Sequence, residues 1–367
     1  LIYECGDLFY LTQPNKKHIL TGSYFTKKDY MTNTKVPRSF MGKRVLVVGG
    51  TGLIGSPLSK MLIEEEGADV RIVSKDDASR AHPKAEFKQL DLREPKNCLH
   101  ACKNMEYVFS LFGVKGSPKM TAKRPATFFV PMITVNTLLM EAARLAGVVG
   151  YLYTSSVGAY PPAEVFKEEN VWSGPPSPND KFAGWAKRMG ELQAEAYKIE
   201  YNWNDITIVY PCNVYGPLDN FDSENAMVVP SLIKRAVTAS ESGQPLIAWG
   251  DGSPIRDFIY AKDVAMGMMI AAKNGPGRNY NIGSGIGASI KELTDTIVKN
   301  LLRPVEVNWD TSAPSGDSKR LMDISRIRSI GFEPKTTLEE GIRDTISWYL
   351  ENRDETSKRY DIFNTPK

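Results

Sequence analysis

The sequence has few residues of the kinds that build metal sites or disulfide frameworks. Only 4 cysteines and 3 histidines occur in 367 residues, and the cysteines form no Cys-x-x-Cys pair. Cys98 and Cys102 stand four positions apart, which is a helical spacing, and Cys5 and Cys212 are isolated. We expect ordinary reduced thiols, and no metal site is predicted.

Long apolar runs and an excess of one charge are also missing. No uninterrupted apolar run approaches the roughly 18–20 residues that span a bilayer. Residues 1–14 have neither the basic start nor the apolar centre of a signal peptide. The 46 Lys and Arg residues nearly balance the 43 Asp and Glu residues, giving a net charge of +3. These features predict a cytoplasmic protein that has neither a membrane nor a nucleic acid as partner.

From Lys43 onward, short β-branched runs alternate with helical stretches. Arg44–Val48 and Asp69–Val73 are typical of buried strands, whereas residues 130–146 and 185–201 have helical periodicity. This alternation predicts an α/β fold with a doubly wound parallel sheet of the Rossmann type. After about Pro211 the pattern is more mixed, which predicts a smaller mixed α/β lobe. We therefore divide the chain into an N-terminal extension of unknown structure (1–40), a Rossmann domain (41–210) and a lobe interleaved with it (211–367).

A glycine-rich turn follows the first predicted strand. Residues 47–55 read Val-Val-Gly-Gly-Thr-Gly-Leu-Ile-Gly, and the turn opens a predicted helix. A dinucleotide pyrophosphate needs a tight turn, close backbone approach and free amides at a helix N-terminus. Strand, glycines and helix in this order predict a dinucleotide cofactor. Its cradle would consist of Gly49, Gly50, Thr51, Gly52, Leu53, Ile54 and Gly55.

The end of the second strand bears on the choice of cofactor. An Asp or Glu there would accept hydrogen bonds from the adenosine ribose of NAD. Ser74 and Lys75 occupy this position, and a hydroxyl with an ammonium suits the 2′-phosphate of NADP. NADP is therefore slightly favoured, although Asp76 could still serve NAD.

Several further segments complete a recognisable set. They are Thr154-Ser155-Ser156, Trp185-Ala186-Lys187, the segment 211–217 (Pro-Cys-Asn-Val-Tyr-Gly-Pro), Trp249-Gly250-Asp251-Gly252 and Arg256-Asp257-Phe258. In this order, residues 43–350 resemble the extended short-chain dehydrogenase/reductase superfamily, in its nucleotide-sugar epimerase, dehydratase and reductase branch. The resemblance implies an NAD(P)-dependent enzyme acting on a nucleotide sugar, and the lobe would bind that substrate.

The resemblance also implies a catalytic site with one conspicuous departure. In the family, a Ser and a Tyr hydrogen-bond the sugar oxygen, and a Lys four residues after the Tyr binds the nicotinamide ribose. Ser156 and Lys187 match the Ser and the Lys, but Ala183 stands at the Tyr position. Losing one acid–base group typically costs about 10²–10⁴-fold in rate. Three explanations of the alanine remain open. It is an inactivating change, or it is natural and another group or a water replaces the tyrosine. In the third, the protein binds its ligands without catalysis. Tyr160 and Tyr215 are possible substitutes, or packed loop aromatics.

The neighbours of these residues narrow the reaction. Val157 and Gly158 follow Ser156 where dehydratases of this branch carry Asp-Glu. Gly158 and Met227 stand where epimerase–reductases of the GDP-fucose synthase type carry a Cys and a His. Hydride transfer at the sugar C4 remains, either as 4-epimerisation or as reduction of a keto sugar. Residues 216–221 nevertheless look more like the GDP-fucose synthase type than like a 4-epimerase.

The remaining site residues follow from the resemblance and from charge. Further cofactor contacts are expected from Asp91, Leu92, Leu111, Gly113, Lys187 and Pro211. The pyrophosphate of a nucleotide sugar calls for cationic and amide donors. Substrate contacts are expected from Ser156, Asn213, Val229, Lys234, Trp249, Arg256 and Arg320. Each of these has a structural alternative, such as a salt bridge between Arg256 and Asp257. The family also implies a homodimer built from the helices at 130–146 and 185–201.

Overall fold

The computed structural model describes residues 38–221, 225–312, 317–354 and 360. Its strands are β1 (Arg44–Val48), β2 (Asp69–Ser74), β3 (Glu86–Gln89), β4 (Tyr107–Ser110), β5 (Gly150–Thr154), β6 (Val165–Phe166), β7 (Ile206–Pro211), β8 (Asn213–Tyr215), β9 (Leu246–Trp249), β10 (Ile255–Tyr260), β11 (Asn279–Ile282), β12 (Gly287–Ser289), β13 (Val307–Asp310) and β14 (Lys319–Met322). Its helices are α1 (Gly55–Glu64), α2 (Pro95–Cys102), α3 (Pro118–Lys123), α4 (Pro125–Leu145), α5 (Lys181–Tyr201), α6 (Val228–Ser242), α7 (Ala261–Asn274), α8 (Ile290–Lys299), α9 (Ser325–Arg328) and α10 (Leu338–Glu351). Most of the predicted N-terminal extension, with Cys5, lies outside the described residues.

Seven parallel strands form the main sheet, in the order β11-β7-β5-β4-β1-β2-β3. One face is covered by α1 and α7, whose apolar residues share a core with Val45 and Val47 of β1. The opposite face is covered by α2, α4 and α5, which share a core with Leu46 and Val48. Alternate residues of β1 thus serve two cores, as expected of a strand covered on both faces. The predicted doubly wound parallel sheet is confirmed.

The rest of the chain builds a smaller mixed part. Strands β12, β10, β14 and β6 form a second sheet, β8 pairs with β10, and β9 pairs with β13. Helices α6, α8 and α10 bury their apolar faces in a third core. Strand β11 comes from the second half of the sequence but joins the main sheet, whereas β6 comes from the first half and joins the second sheet. The two sheets therefore exchange strands.

Helix α4 is, by length and average composition, the one described helix that could cross a membrane. It spans 21 residues, and half of its most apolar stretch is buried. Its inward residues, including Val135, Leu139 and Met140, pack into the core beneath the main sheet. Packing against the sheet therefore accounts for the apolar character of α4.

Small residues let α5 approach the sheet closely. A β-carbon on Gly184 would lie 2.3 Å from the carbonyl oxygen of Gly158, and one on Gly190 would lie 2.4 Å from the ring of Tyr153. The buried guanidinium of Arg188 lies between the rings of Trp172 and Trp185, and its Nε donates to the carbonyl of Ala159 at 2.8 Å. These contacts fix α5 against the short 3₁₀ turn at Val157–Ala159.

Candidate active site

The predicted site residues collect at one edge of the main sheet. The glycine turn follows β1, and Ser74 is the last residue of β2. The other predicted residues come just after the strands β3, β4, β5 and β7; in that order they are Asp91, Leu111, Ser156 and Asn213. Because all these strands are parallel, their carboxyl ends meet at the same edge. In open α/β sheets this edge is where ligands bind.

The glycine turn is packed too tightly for side chains. Gly49 has a positive φ of 78° and donates its N–H to the carbonyl of Val73 at 2.8 Å. A β-carbon on Gly55 would lie 2.0 Å from the carbonyl oxygen of Gly49, and one on Gly50 would lie 2.8 Å from Ile72. Helix α1 begins at Gly55, after the partly exposed Gly52, Leu53 and Ile54. The N–H groups of Ser56 and Leu58 bond to the carbonyls of Gly52 and Ile54. Among the described residues, the amides left for a pyrophosphate are those of Leu53, Ile54 and Gly55, which fits a dinucleotide.

The end of β2, where the adenosine ribose of a cofactor is expected, contains the carboxylate of Asp76. The sequence analysis gave Asp76 as the alternative that would serve NAD. Asp76 is only 8% exposed, and its Oδ2 accepts a hydrogen bond from the Thr51 hydroxyl at 2.7 Å. The same Thr51 hydroxyl lies 2.7 Å from Ser74 Oγ. The other Asp76 oxygen accepts the backbone N–H of Tyr360 at 3.0 Å. Both oxygens of Asp76 are therefore already in use.

Lys75 lies beside this carboxylate and remains partly exposed. Its Nζ is 3.1 Å from Asp91 Oδ2 and 3.2 Å from the Tyr360 hydroxyl, and it lies over the Tyr360 ring. The guanidinium of Arg93 and the ammonium of Lys75 hold the pKa of Asp91 well below its usual range. Leu92 is buried beneath the sheet. The contribution of Tyr360 has no signal in the sequence, because 285 residues separate it from Lys75.

Lys187 lies at the centre of the sheet edge. It is 6% exposed, and its Nζ donates to the carbonyls of Phe112 and Thr154, both at 2.8 Å. Burial lowers the pKa of Lys187 to about 8. Gly113 is close enough that a β-carbon there would lie 3.5 Å from Nζ. Leu111 reaches the glycine turn, since its N–H donates to the carbonyl of Val48.

Ser156 and Ala183 are brought to the same place by the contact between α5 and the turn at 157–159. Ser156 Oγ accepts the N–H of Gly158 at 3.1 Å. Ala183 is partly buried and ends at its β-carbon, so it offers no group for proton transfer. The sequence analysis missed Glu191 of α5. Its carboxylate accepts hydrogen bonds from Ser155, Trp172 and Tyr210 and so ties α5 to the segment next to Ser156. Burial raises the pKa of Glu191.

The two tyrosines considered as substitutes are both occupied elsewhere. The Tyr160 hydroxyl donates to Asn281 at 2.6 Å in the core, and burial raises its pKa. The Tyr215 side chain is 2% exposed, its hydroxyl is 3.4 Å from the carbonyl of Leu338, and burial raises its pKa as well. Both are packed aromatics, as the alternative interpretation held.

Two arginines lie side by side near the starts of β10 and β14, the inner strands of the second sheet. Arg256 and Arg320 are direct partners in the parallel pairing of β10 with β14. Arg256 donates to the carbonyls of Ile255 and Asp317 and forms no ion pair with any described residue. Burial, and then the charge of Arg320, lower its pKa.

The carboxylate next to Arg256 has its own donors. Asp257 is fully buried and accepts the N–H and hydroxyl of Ser284 and the N–H of Gly285, so the proposed bridge to Arg256 does not form. Asn213 donates its amide to the carbonyl of Asp257. Arg256 thus keeps a positive charge that an anion could neutralise.

The other substrate residues lie around α6. Val229 is 3% exposed and belongs to the core of this part, while Lys234 is partly buried on the same helix. Trp249 is 67% exposed, and the guanidinium of Arg235 lies 5.1 Å from its ring centre. Sequence reasoning missed Arg235, although its position next to Lys234 could have suggested it. Pro211 is buried at the end of β7.

Comparisons with known proteins show the family to which the chain belongs. The model of the NAD dependent epimerase/dehydratase family matches residues 45–283. A probable GDP-L-fucose synthase 1 from Oryza sativa subsp. japonica is 31% identical, covering 85% of this chain and 93% of that protein. A dTDP-4-dehydro-6-deoxy-D-allose reductase from Streptomyces sp is 28% identical, covering 84% and 96%.

Among solved structures, UDP-glucose 4-epimerase from Thermotoga maritima, determined with UDP-glucose, superimposes with a TM-score of 0.73. It is 26% identical and covers 84% of this chain and 99% of its own. Fold, cofactor cradle and relatives agree. The chain belongs to the NAD dependent epimerase/dehydratase family, in the nucleotide-sugar epimerase and reductase branch of the extended short-chain dehydrogenases/reductases.

Proposed function

We propose that this protein transfers hydride at C4 of a nucleoside diphosphate sugar, as a 4-epimerase or as a keto-sugar reductase. The observation that carries the proposal is a series of contacts that runs from the glycine turn through Lys187 and Ser156 to Arg320. Lys187 donates to the carbonyl of Phe112, whose neighbour Leu111 bonds to Val48 at the start of the turn. Arg320 pairs with Asp180, which packs against Gly158 beside Ser156. The glycine turn suits a dinucleotide pyrophosphate, and Arg256, which forms no ion pair with any described residue, suits the pyrophosphate of the substrate. The sugar would then lie near Ser156 and Lys187.

The residues around Ser156 limit the reaction to hydride transfer with one proton. Gly158 and Met227 carry no group that could move a proton at a carbon beside a carbonyl. A nicotinamide cofactor supplies or accepts the hydride when bound. The protein then has to bind the sugar, exclude water and move the hydroxyl proton. Reductases and 4-epimerases both occur among the relatives, which fits this limited chemistry.

We propose NADP as the preferred cofactor. Lys75 is the cation at the end of β2, and its side chain remains 32% exposed. Asp76 is only 8% exposed and each of its oxygens already accepts one hydrogen bond, so it is less open than Lys75 to the ribose of a cofactor. A 2′-phosphate would gain the Lys75 ammonium as partner.

A second candidate function is binding of the cofactor and nucleotide sugar without turnover. The observation that favours it is Ala183, because alanine cannot exchange the proton that the family Tyr carries. This candidate predicts intact binding of both ligands and no hydride exchange under any condition.

The deciding experiment follows absorbance at the reduced-nicotinamide band. The wild-type protein and Ala183→Tyr would be assayed with NADPH or NADH and a panel of nucleotide 4-keto sugars, and with the oxidised cofactors and nucleotide sugars. We expect turnover by the wild type, a lower KM for NADPH than for NADH, and a faster Ala183→Tyr protein. Binding of both ligands with no turnover by either protein would support the second candidate instead.

The substrate class has a separate test in Arg256. Arg256→Ala removes the cation assigned to the substrate pyrophosphate, so we expect KM for the nucleotide sugar to rise at least tenfold with little change in KM for the cofactor. Lys262→Ala, an exposed cation on α7, is a matched control. An unchanged KM in Arg256→Ala would point to a substrate without a pyrophosphate.

A further inference from the structure

The proposed reaction needs a proton carrier, and the positions that supply carriers in the family do not supply one here. Ala183, Gly158 and Met227 have no acidic or basic group, and Tyr160 and Tyr215 are buried with their hydroxyls directed into the core. The sugar hydroxyl still has to lose its proton when hydride leaves the same carbon. The proton therefore goes to another group near Ser156 or to a water.

Asp180 lies at this place. It is the residue before α5, one helical turn ahead of Ala183, and its carboxylate packs against Gly158. A β-carbon on Gly158 would lie 3.2 Å from both Cγ and Oδ1 of Asp180. Gly158 in turn donates its N–H to Ser156 Oγ. A side chain at position 158 would therefore press on the carboxylate and make it shift by a few tenths of an ångström.

The carboxylate of Asp180 does not cap the N-terminus of α5. An aspartate before the first turn of a helix normally accepts a backbone N–H of that turn. No such bond forms at the start of α5. Instead, Oδ2 accepts a hydrogen bond from Arg320 at 2.9 Å, while Oδ1 has no hydrogen-bond partner among the described residues.

The surroundings of Asp180 hold its carboxylate in position. Arg320 is 16% exposed, lies over the Phe166 ring, and is also 3.7 Å from Asp317. The N-terminus of α5 adds a partial positive charge next to Asp180. The ion pair thus fixes Oδ2 and leaves Oδ1 toward Gly158 as a free acceptor.

We propose that Asp180 is the proton-transfer group of this site, in place of the family tyrosine. This inference rests on the proposed function. In the oxidative direction the sugar C4–H bond breaks and its electron pair leaves as hydride to the nicotinamide. The hydroxyl O–H bond breaks, its proton forms a new O–H bond on Asp180 Oδ1, and its electrons complete the C4 carbonyl. In the reductive direction the same proton returns to the sugar oxygen.

The test compares Asp180→Asn with the wild type, Ala183→Tyr and the double variant Asp180→Asn/Ala183→Tyr. Asparagine keeps the shape of the side chain but cannot accept the proton. We expect kcat for oxidation of the nucleotide sugar to fall about 10²–10⁴-fold in Asp180→Asn. The acidic limb of its pH profile should disappear, whereas cofactor affinity and melting temperature should stay near wild type. Ala183→Tyr should restore activity in the double variant, because the phenol supplies a new carrier.

Asp295→Asn is the control, since it removes an exposed carboxylate that pairs with Lys291 on α8, outside the proposed site. We expect kcat within about twofold of wild type. Unchanged kcat in Asp180→Asn would overturn the inference. So would loss of activity that Ala183→Tyr fails to restore, because the role of Asp180 would then be structural. An inert wild type with an active Ala183→Tyr protein would overturn the role of Asp180 and would favour the second candidate function for this chain. Inertness of every variant would overturn the proposed function as well.

Discussion

Lys187 shows how a single residue depends on its surroundings. Its ammonium donates hydrogen bonds to two backbone carbonyls, and the side chain is almost fully shielded from solvent. Burial disfavours the charged form, which is why its pKa falls from 10.5 to about 8. Sequence analysis predicted Lys187 as a site residue, but the burial that lowers its pKa comes from the tertiary structure around it.

This pKa predicts a pH dependence of stability. Between pH 8 and 10.5 the unfolded chain binds more protons than the folded one, so the free energy of unfolding should rise with pH. Relative to Lys187→Met, we expect the wild type to gain up to about 3 kcal/mol across this range. Urea unfolding at a series of pH values measures it. Lys60→Met, an exposed lysine, is the control, and parallel curves for Lys187→Met and wild type would contradict the prediction.

At the scale of elements, the junction between β1 and α1 is determined mainly by local sequence. Gly49 needs its positive φ, and Gly55 has no room for a β-carbon beside the Gly49 carbonyl. These constraints act within seven residues, so the pattern of glycines predicted the turn. The contact of α5 with the turn at 157–159 is different, because Gly184 and Gly158 meet only after the sheet has formed.

Gly55→Ala tests the junction. The added methyl group would collide with the backbone of Gly49, so the turn or the start of α1 must shift. We expect a loss of stability of about 1–3 kcal/mol and at least a hundredfold weaker cofactor binding. Calorimetric titration with NADP and thermal unfolding would measure both. Gly174→Ala, where a β-carbon meets only Pro161 at 3.4 Å, should change neither. Wild-type cofactor affinity in Gly55→Ala would show that the turn does not hold the pyrophosphate.

At the scale of the whole molecule, the outer face of α5 carries an apolar stripe. Phe182, Leu192 and Ile199 are 40%, 43% and 78% exposed and recur at helical spacing. On α4, the neighbour of α5, Val130 and Leu145 are also more than half exposed. Adjacent exposed apolar faces favour association.

We propose that a second copy of the chain covers this stripe, and we expect twice the mass of one chain by light scattering. Leu192→Asp/Ile199→Asp places charges within the stripe and should give a monomer that remains folded. Leu302→Asp changes a 92% exposed leucine outside α4 and α5 and should stay dimeric. A monomeric wild type, or a variant that stays dimeric, would contradict this assembly.

The sequence by itself determined the doubly wound sheet and the cofactor cradle, because strand and helix periodicity and the glycine turn depend on neighbours close along the chain. It also predicted Ser156 and Lys187 as site residues and Ala183 at the position of the family tyrosine. The tertiary structure decided what surrounds them. Asp180 faces Gly158 and Arg320, Tyr360 reaches Lys75, and Tyr160 and Tyr215 point into the core. These contacts join residues far apart in sequence, and only the packing of α5 and the second sheet against the first brings them together.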